Sequence, residues 1–375
     1  MKFLHLADLH LGKKINEYSL FDDQRYVLDQ AFSLAKSEKV DAIVIAGDVY
    51  DSSAPSAETM AFYDEFLAKL HSLHIPVLMI SGNHDSPERL AVASSILKEA
   101  DIHIVTRVED SIHPIVVGGV AFYLLPYCRP SDVNHAFDTT IKTYEEGMKE
   151  VLSRMEEFQG TRILVTHQAI LPVGTKVASS GSETSLEVDS HGDVAGSEII
   201  DANLFGSFAY LALGHIHKAQ NVTANARYPG ALLKYHVNEA NAKRSFTIVS
   251  MEGGKASVQT YPIQLKRDLA VLKGTLDEIM AMTGHENDFV QCVLSEEIAV
   301  DSPYAKLKVK YPYCLGIDYA HNHHDDAKEE VIEDVEELSK PDLFNRFFEQ
   351  CSGRPLDEQE NAFVKDMFDQ LEAKQ

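Results

Sequence analysis

Six short apolar runs, each separated from the next by a polar or amphipathic stretch, constrain this chain more than any other feature. They cover residues 2–7, 42–46, 76–80, 121–125, 162–166 and 209–213. Each has the length of a strand and is apolar nearly throughout. That is the pattern of a strand buried on both faces. Helical periodicity fills the gaps at 22–39, 56–73, 87–100 and 144–158. Ser86 ahead of Pro87 supplies the third with an N-cap and a proline at the first helical position. The alternation predicts an α/β fold.

The rest of the chain has other textures. Residues 174–197 are rich in Gly and Ser and read as a long surface loop. Residues 225–252 read as a run of strands with Pro229-Gly230 as a turn. From Arg267 the pattern restarts on a smaller scale: strand 268–273, helix 276–282, strand 289–294, helix 303–311 and a last short strand. A polar linker at 321–339 carries His321, His323 and His324, which read as solvated surface. Helical patterns follow at 341–351 and 355–374. The last places Phe363, Val364, Met367, Phe368 and Leu371 on one face, to pack at home or dock on a partner. These shifts divide the chain into a main domain over 1–265, a small α/β unit over 266–320, and a linker with a helical tail over 321–375.

Charge narrows the function. The 375 residues carry 34 Lys and Arg against 58 Asp and Glu, a net charge of −24. No global positive field can draw this chain to nucleic acid. A DNA-acting role needs bound cations or a basic partner. No run of about eighteen apolar residues is present, which predicts no membrane span. Asp8 and His10 cut the first apolar run short of a signal peptide, so a cytoplasmic protein is expected. The four scattered cysteines form no C-x-x-C pair and read as reduced thiols.

The chemistry lies where the apolar runs end. Asp8-Leu9-His10, Gly47-Asp48-Val49-Tyr50-Asp51, Gly82-Asn83-His84-Asp85, Thr166-His167 and Gly214-His215-Ile216-His217 each open the loop after a run. Ligands of α/β sheets gather at the carboxyl ends of strands. Carboxylate, amide oxygen and imidazole suit Mn²⁺, Mg²⁺, Fe²⁺ or Zn²⁺, and no thiolate lies among them. Asp8, His10, Asp48, Asn83, His167, His215 and His217 are too many for one ion. They suffice for two ions about 3.5–4 Å apart if one carboxylate bridges, and Asp48 is central in the order. Glycine before Asp48, Asn83 and His215 suits close backbone approach.

The order D-x-H, G-D-x-x-D, G-N-H-D, H, G-H-x-H resembles the calcineurin-like metallophosphoesterases. His5-Leu6-Ala7-Asp8-Leu9-His10-Leu11-Gly12 and Tyr228-Pro229-Gly230-Ala231-Leu232-Leu233-Lys234-Tyr235 resemble its DNA-repair nuclease branch, although Ala231 and Leu232 stand where bacterial members favour Ser-Pro. The resemblance implies a four-layer α-β-β-α sandwich with a small α/β capping domain and a helical C-terminal tail. It implies two divalent cations, Mn²⁺ foremost. One would rest on Asp8, His10, Asp48 and His217, the other on Asp48, Asn83, His167 and His215. His84 would be the catalytic histidine facing the scissile phosphate. Asp51 is read as a supporting residue. Asp85 is read either as orienting the His84 ring or as a carboxylate at a helix start.

The implied activity is that of a DNA nuclease, exonucleolytic on duplex ends and endonucleolytic on single strands and hairpins. It would work as a homodimer within a heterotetramer with a coiled-coil ATPase. No G-x-x-x-x-G-K-[ST] loop occurs in this sequence, so ATP would be handled by that partner. The competing reading is another phosphodiesterase of the superfamily, acting on nucleotides or small phosphodiesters. Phosphoprotein phosphatases carry Arg-Gly after the second motif and Glu after Gly-Asn-His; Ser52-Ser53 and Asp85 stand here instead.

Overall fold

Two six-stranded sheets stack face to face. The first runs Lys255–Pro262, Ser245–Glu252, Lys2–Leu6, Ala42–Ala46, Val77–Ile80, Ile102–Val105, with the last four strands mutually parallel. The second runs Gln220–Thr223, Ala226–Tyr228, Tyr210–Leu213, Arg162–Thr166, Val120–Leu125, Ile115–Val117, parallel at its centre and antiparallel at both edges. This is a computed structural model. It describes residues 1–172, 187–188, 194–195, 198–296, 300–320, 339–352 and 354–372.

The layering follows from the two-residue period of a strand. Ile43 and Ile45, with Leu4, Leu6, Val77 and Met79, face Val27, Ala31, Phe62 and Phe66 of the helices Phe21–Ser37 and Ala57–His71. Their neighbours Ala42, Val44, Ala46, Phe3, Leu78 and Ile80 point the other way and meet Phe122, Leu124, Ile163 and Val165 of the second sheet. On the far side Tyr123, Leu125, Leu164 and Leu211 pack on Val133, Met148 and Val151 of the helices Pro130–Phe137 and Tyr144–Arg154. The result is α-β-β-α. Phe122 is fully buried between the sheets, and cutting it to alanine should cost about 3–5 kcal/mol.

Beyond Arg267, the parallel strands Leu269–Gly274, Phe289–Leu294 and Cys314–Tyr319 and the helices Leu276–Ala281 and Pro303–Lys310 enclose a core of their own. This unit leans on the segment just after His10. Arg267 forms a two-pronged ion pair with Asp23. Asn16 donates to the Leu315 carbonyl at 2.7 Å, and Tyr18 to that of Pro312 at 2.9 Å. The terminal helices Lys340–Ser352 and Glu358–Glu372 meet through Phe344 and Phe368. On the second of these helices Val364 is buried, while Phe363 and Met367 are exposed.

Two expectations are corrected. The helix expected over 87–100 is broken into Pro87–Leu90, Ser94–Leu97 and a 3₁₀ turn at Lys98–Ala100, with Ala93 left-handed at φ +60°. Of its apolar residues Leu90 is buried but Val92 and Ile96 are exposed, so no continuous stripe ties a long helix to the core. In the run expected over 225–252, only Ala226–Tyr228 and Ser245–Glu252 are strands. Gly230 turns the chain at φ +77°, but residues 231–244 then form a loop with a 3₁₀ turn at Val237–Glu239. Of the Gly/Ser-rich stretch, 187–188 and 194–195 pair antiparallel; its remainder, with 321–338 and their three histidines, lies outside the described residues.

Candidate metal centre

The five motif loops leave the same end of the stack. Asp8, His10, Asp48, Asn83 and His84 follow strands of the first sheet; His167, His215 and His217 follow strands of the second. All seven expected ligands converge there. His10 Nε2 lies 3.0 Å from His217 Nε2. Asn83 Oδ1 lies 3.1 Å from His167 Nε2 and 3.0 Å from His215 Nδ1. Between these groups stands Asp48, whose Oδ2 is 3.6 Å from His10 Nε2 and 3.3 Å from His167 Nε2. Asp8, His10 and His217 each offer a donor atom within 4.8 Å of the others, as do Asp8, Asp48 and His167.

Several of these atoms suit a cation. Two imidazole nitrogens that share an ion lie about 3 to 3.5 Å apart, depending on the coordination geometry. The His10–His217 separation matches that. His10 Nδ1 lies 3.4 Å from Asp51 Oδ1, and its Nε2 faces inward toward His217. His167 Nδ1 lies 2.7 Å from the Ala46 carbonyl oxygen, which places a ring proton on Nδ1 and turns Nε2 toward Asn83 and Asp48. His215 Nε2 is buried with no hydrogen-bond partner among the described residues.

Electrostatics divides the site. Burial pushes His215 down to about 3, aided by the charge of His167, and also holds His10 and His217 below the ordinary imidazole value. Neutral imidazoles are the ligand form. His167 goes the other way: burial opposes its charge, but Asp48 beside it wins and raises it to about 9. Burial likewise opposes Asp48 ionisation, and the attraction of His167 holds Asp48 well below the carboxylate range. The two shifts favour a charged His167–Asp48 pair, and a bound cation would compete with the His167 proton.

The backbone at these loops is tight. Asp8, His10 and Asp48 are left-handed at φ +54°, +44° and +49°, and His215 stands at φ +100°. Such conformations cost about 1–3 kcal/mol each and persist where surroundings impose them. The glycines act mainly by absence of bulk. A Cβ on Gly82 would sit 2.1 Å from Asp48 Oδ1, and one on Gly214 1.8 Å from the Ala46 carbonyl oxygen.

His84 donates its backbone N–H to Asp48 Oδ1 at 2.9 Å, and its Nδ1 lies 3.0 Å from the Asp51 carbonyl oxygen. Asp85 stands just ahead of the helix Pro87–Leu90, and its described bonds do not go to the His84 ring. Its buried carboxylate accepts N–H bonds from Val49, Tyr50 and Gly82, joining two motif loops. Asp51 takes an ion pair from Lys13 at 2.7 Å.

Sequence reasoning misses a set of supports. Gln24 donates to the carbonyls of Leu9 and His10. Tyr235 packs its ring on His10 and His217 and donates to the Leu9 carbonyl at 2.9 Å. Arg244, buried and 2.8 Å from Glu239, donates to the His217 carbonyl at 2.7 Å. Tyr235 ends the stretch that begins at Tyr228 and Glu239 follows soon after, but no spacing signals their contacts.

A family model described as calcineurin-like phosphoesterase matches residues 1–219. The chain belongs to the calcineurin-like phosphoesterases. A second model, described as a type 5 capsule protein repressor C-terminal domain, matches residues 265–352 of this phosphoesterase. The chain is 31% identical to the SbcD subunit of the SbcCD nuclease of Staphylococcus epidermidis, over 97% of either chain. It is 29% identical to the protein of that name from Staphylococcus saprophyticus, over 95% of this chain and 94% of that one. A solved dimetal phosphatase from Danio rerio is 13% identical, with a TM-score of 0.38, over 71% of this chain and 99% of that one. The phosphoesterase hydrolyses phosphoric ester bonds, and its Asp and His clusters fit divalent cations. Among the described residues no helix is long and apolar enough to cross a membrane.

Proposed function

We propose that this phosphoesterase is the nuclease subunit of an SbcCD-type complex, cutting DNA in repair, recombination and replication in the cytoplasm. It would act as a 3′-to-5′ exonuclease on duplex DNA and as an endonuclease on single strands and hairpins. Its partners would be DNA and an SbcC-like coiled-coil ATPase docked on the C-terminal helices, with two copies of this chain in a heterotetramer. The names of the Staphylococcus relatives support this reading. The observation that carries it is the position of Asp48 Oδ2 between His10 and His167.

In this proposal Asp8, His10, Asp48 and His217 hold one ion, and Asp48, Asn83, His167 and His215 the other. Mn²⁺ is the expected metal, with Mg²⁺ or Fe²⁺ as alternatives. When bound, such a pair of cations supplies positive charge beside the phosphate and makes water nucleophilic near neutral pH. The chain's own residues do the rest. Asp51 fixes His10 through its carboxylate and His84 through its carbonyl. Held at Nδ1, the His84 ring would use Nε2 to stabilise the developing charge or protonate the leaving 3′ oxygen.

The test is digestion of end-labelled linear and hairpin duplexes with Mn²⁺, with and without the ATPase partner and ATP. Cleavage should require metal, and His84→Ala should lower it by about 10²–10⁴-fold while metal binding persists. Hydrolysis of bis-p-nitrophenyl phosphate with no cleavage of any DNA would favour a small-molecule phosphodiesterase.

A further inference from the structure

A groove of about 510 Å³ opens beside Asn83, bounded by Tyr127, Arg129, Arg107, Glu88, Glu109 and Asp132. Asn83 belongs to both groove and metal centre, so whatever fills the groove lies next to a phosphate held at the ions. The wall nearest the centre is Tyr127. Its ring stands 5.9 Å from the His215 ring and 6.4 Å from that of His167. The Arg129 guanidinium lies 5.8 Å from the Tyr127 ring centroid. An aromatic ring and a guanidinium plane are the two surfaces on which nucleobases stack.

Charge decides which part of a nucleotide fits. Arg107 and Arg129 face three carboxylates, Glu88, Glu109 and Asp132, and Arg107 lies 3.9 Å from Glu109. Asp85 also borders the groove, but its oxygens are tied to backbone N–H groups. The lining therefore has no surplus positive charge with which to hold a phosphate. It does offer acceptors for exocyclic amines and donors for ring carbonyls. The volume lies within the usual range of small-molecule sites.

We infer that the groove walled by Tyr127 and Arg129 is a base-binding subsite, taking the unstacked nucleobase adjacent to the phosphodiester that is cut. This deepens the nuclease reading and rests on it. The subsite would favour ends, single strands and hairpin loops, where a base leaves its stack at little cost.

The experiment measures competitive inhibition of bis-p-nitrophenyl phosphate hydrolysis in the Mn²⁺-loaded full chain. The competitors are thymidine 5′-monophosphate, thymidine 3′-monophosphate and base-free deoxyribose 5-phosphate. At least one nucleotide should bind about tenfold more tightly than the sugar phosphate. Arg129→Ala should bring that ratio close to one, whatever its effect on turnover. Equal inhibition by all three compounds in the unaltered protein, or a ratio unmoved by Arg129→Ala, would overturn the subsite. A retained ratio in a protein that leaves linear and hairpin DNA intact would instead refute the nuclease reading.

Discussion

The two halves of the metal centre are braced in different ways. The half formed by Asn83, His167 and His215 is held by main chain. His167 is fixed by the Ala46 carbonyl, Asp85 is bound by three backbone N–H groups, and Gly82 and Gly214 bring their loops into van der Waals contact with neighbouring atoms. The half formed by Asp8, His10 and His217 has main-chain bonds too, but side chains add a second set of braces. Asp51, Lys13, Gln24, Tyr235 and the Arg244–Glu239 pair all reach it from elsewhere in the chain. The first design leaves little tolerance for bulk. The second leaves little for lost charge or hydrogen bonds.

The largest expected effect breaks the side-chain half. Arg244→Met removes the ion pair with buried Glu239 and takes a donor from the His217 carbonyl, which should cost about 3 kcal/mol in chemical denaturation. Calorimetric titration with Mn²⁺ should show one of two binding events weakened and the other kept. Equal weakening of both would erase the distinction. Next, Gly82→Ala should cost about 3 kcal/mol by overpacking against Asp48, and because Asp48 serves both halves it should weaken both binding events.

A third prediction uses a group in neither half. His5 is fully buried between the sheets, with Nε2 3.2 Å from the Leu213 carbonyl oxygen. Burial, and then the charge of Arg227, pushes it down to about 3 from 6.5. A depressed imidazole favours the fold above pH 6.5, and that contribution is lost as pH falls from 6.5 toward 3. At pH 5 the loss is about 2 kcal/mol. His5→Gln should flatten denaturation midpoints between about pH 6.5 and 5; an unchanged slope would assign the acid sensitivity to the metal-centre histidines. The smallest effect is Lys13→Met. It should cost about 1 kcal/mol of stability and weaken the His10-side ion about tenfold, with the other binding event unmoved.

This contrast also marks what sequence can reveal. The strand-end motifs are legible because each carries its chemistry in adjacent residues after an apolar run. The central strands are legible because burial on both faces leaves an uninterrupted apolar word. The glycines of the main-chain half can be read as sites of close approach, though not what they approach. The side-chain half is hidden. Arg244 and Gln24 act on carbonyl oxygens, which every residue has, so no residue type betrays the partner. The broken helix after Pro87 escapes a sequence reading because periodicity does not say which face meets a core. Sequence adjacency pairs the His84 ring with Asp85, whereas the atom beside it is the Asp51 carbonyl oxygen, supplied by a different loop.

Four of the seven converging residues sit in backbone conformations that a relaxed peptide avoids. Divalent cations bound among these residues would offset part of that backbone cost. Adding Mn²⁺ should raise the melting temperature more than surface carboxylates alone could, and chelation should lower it again. Metal loading would then couple the heat resistance of this chain to its readiness for catalysis.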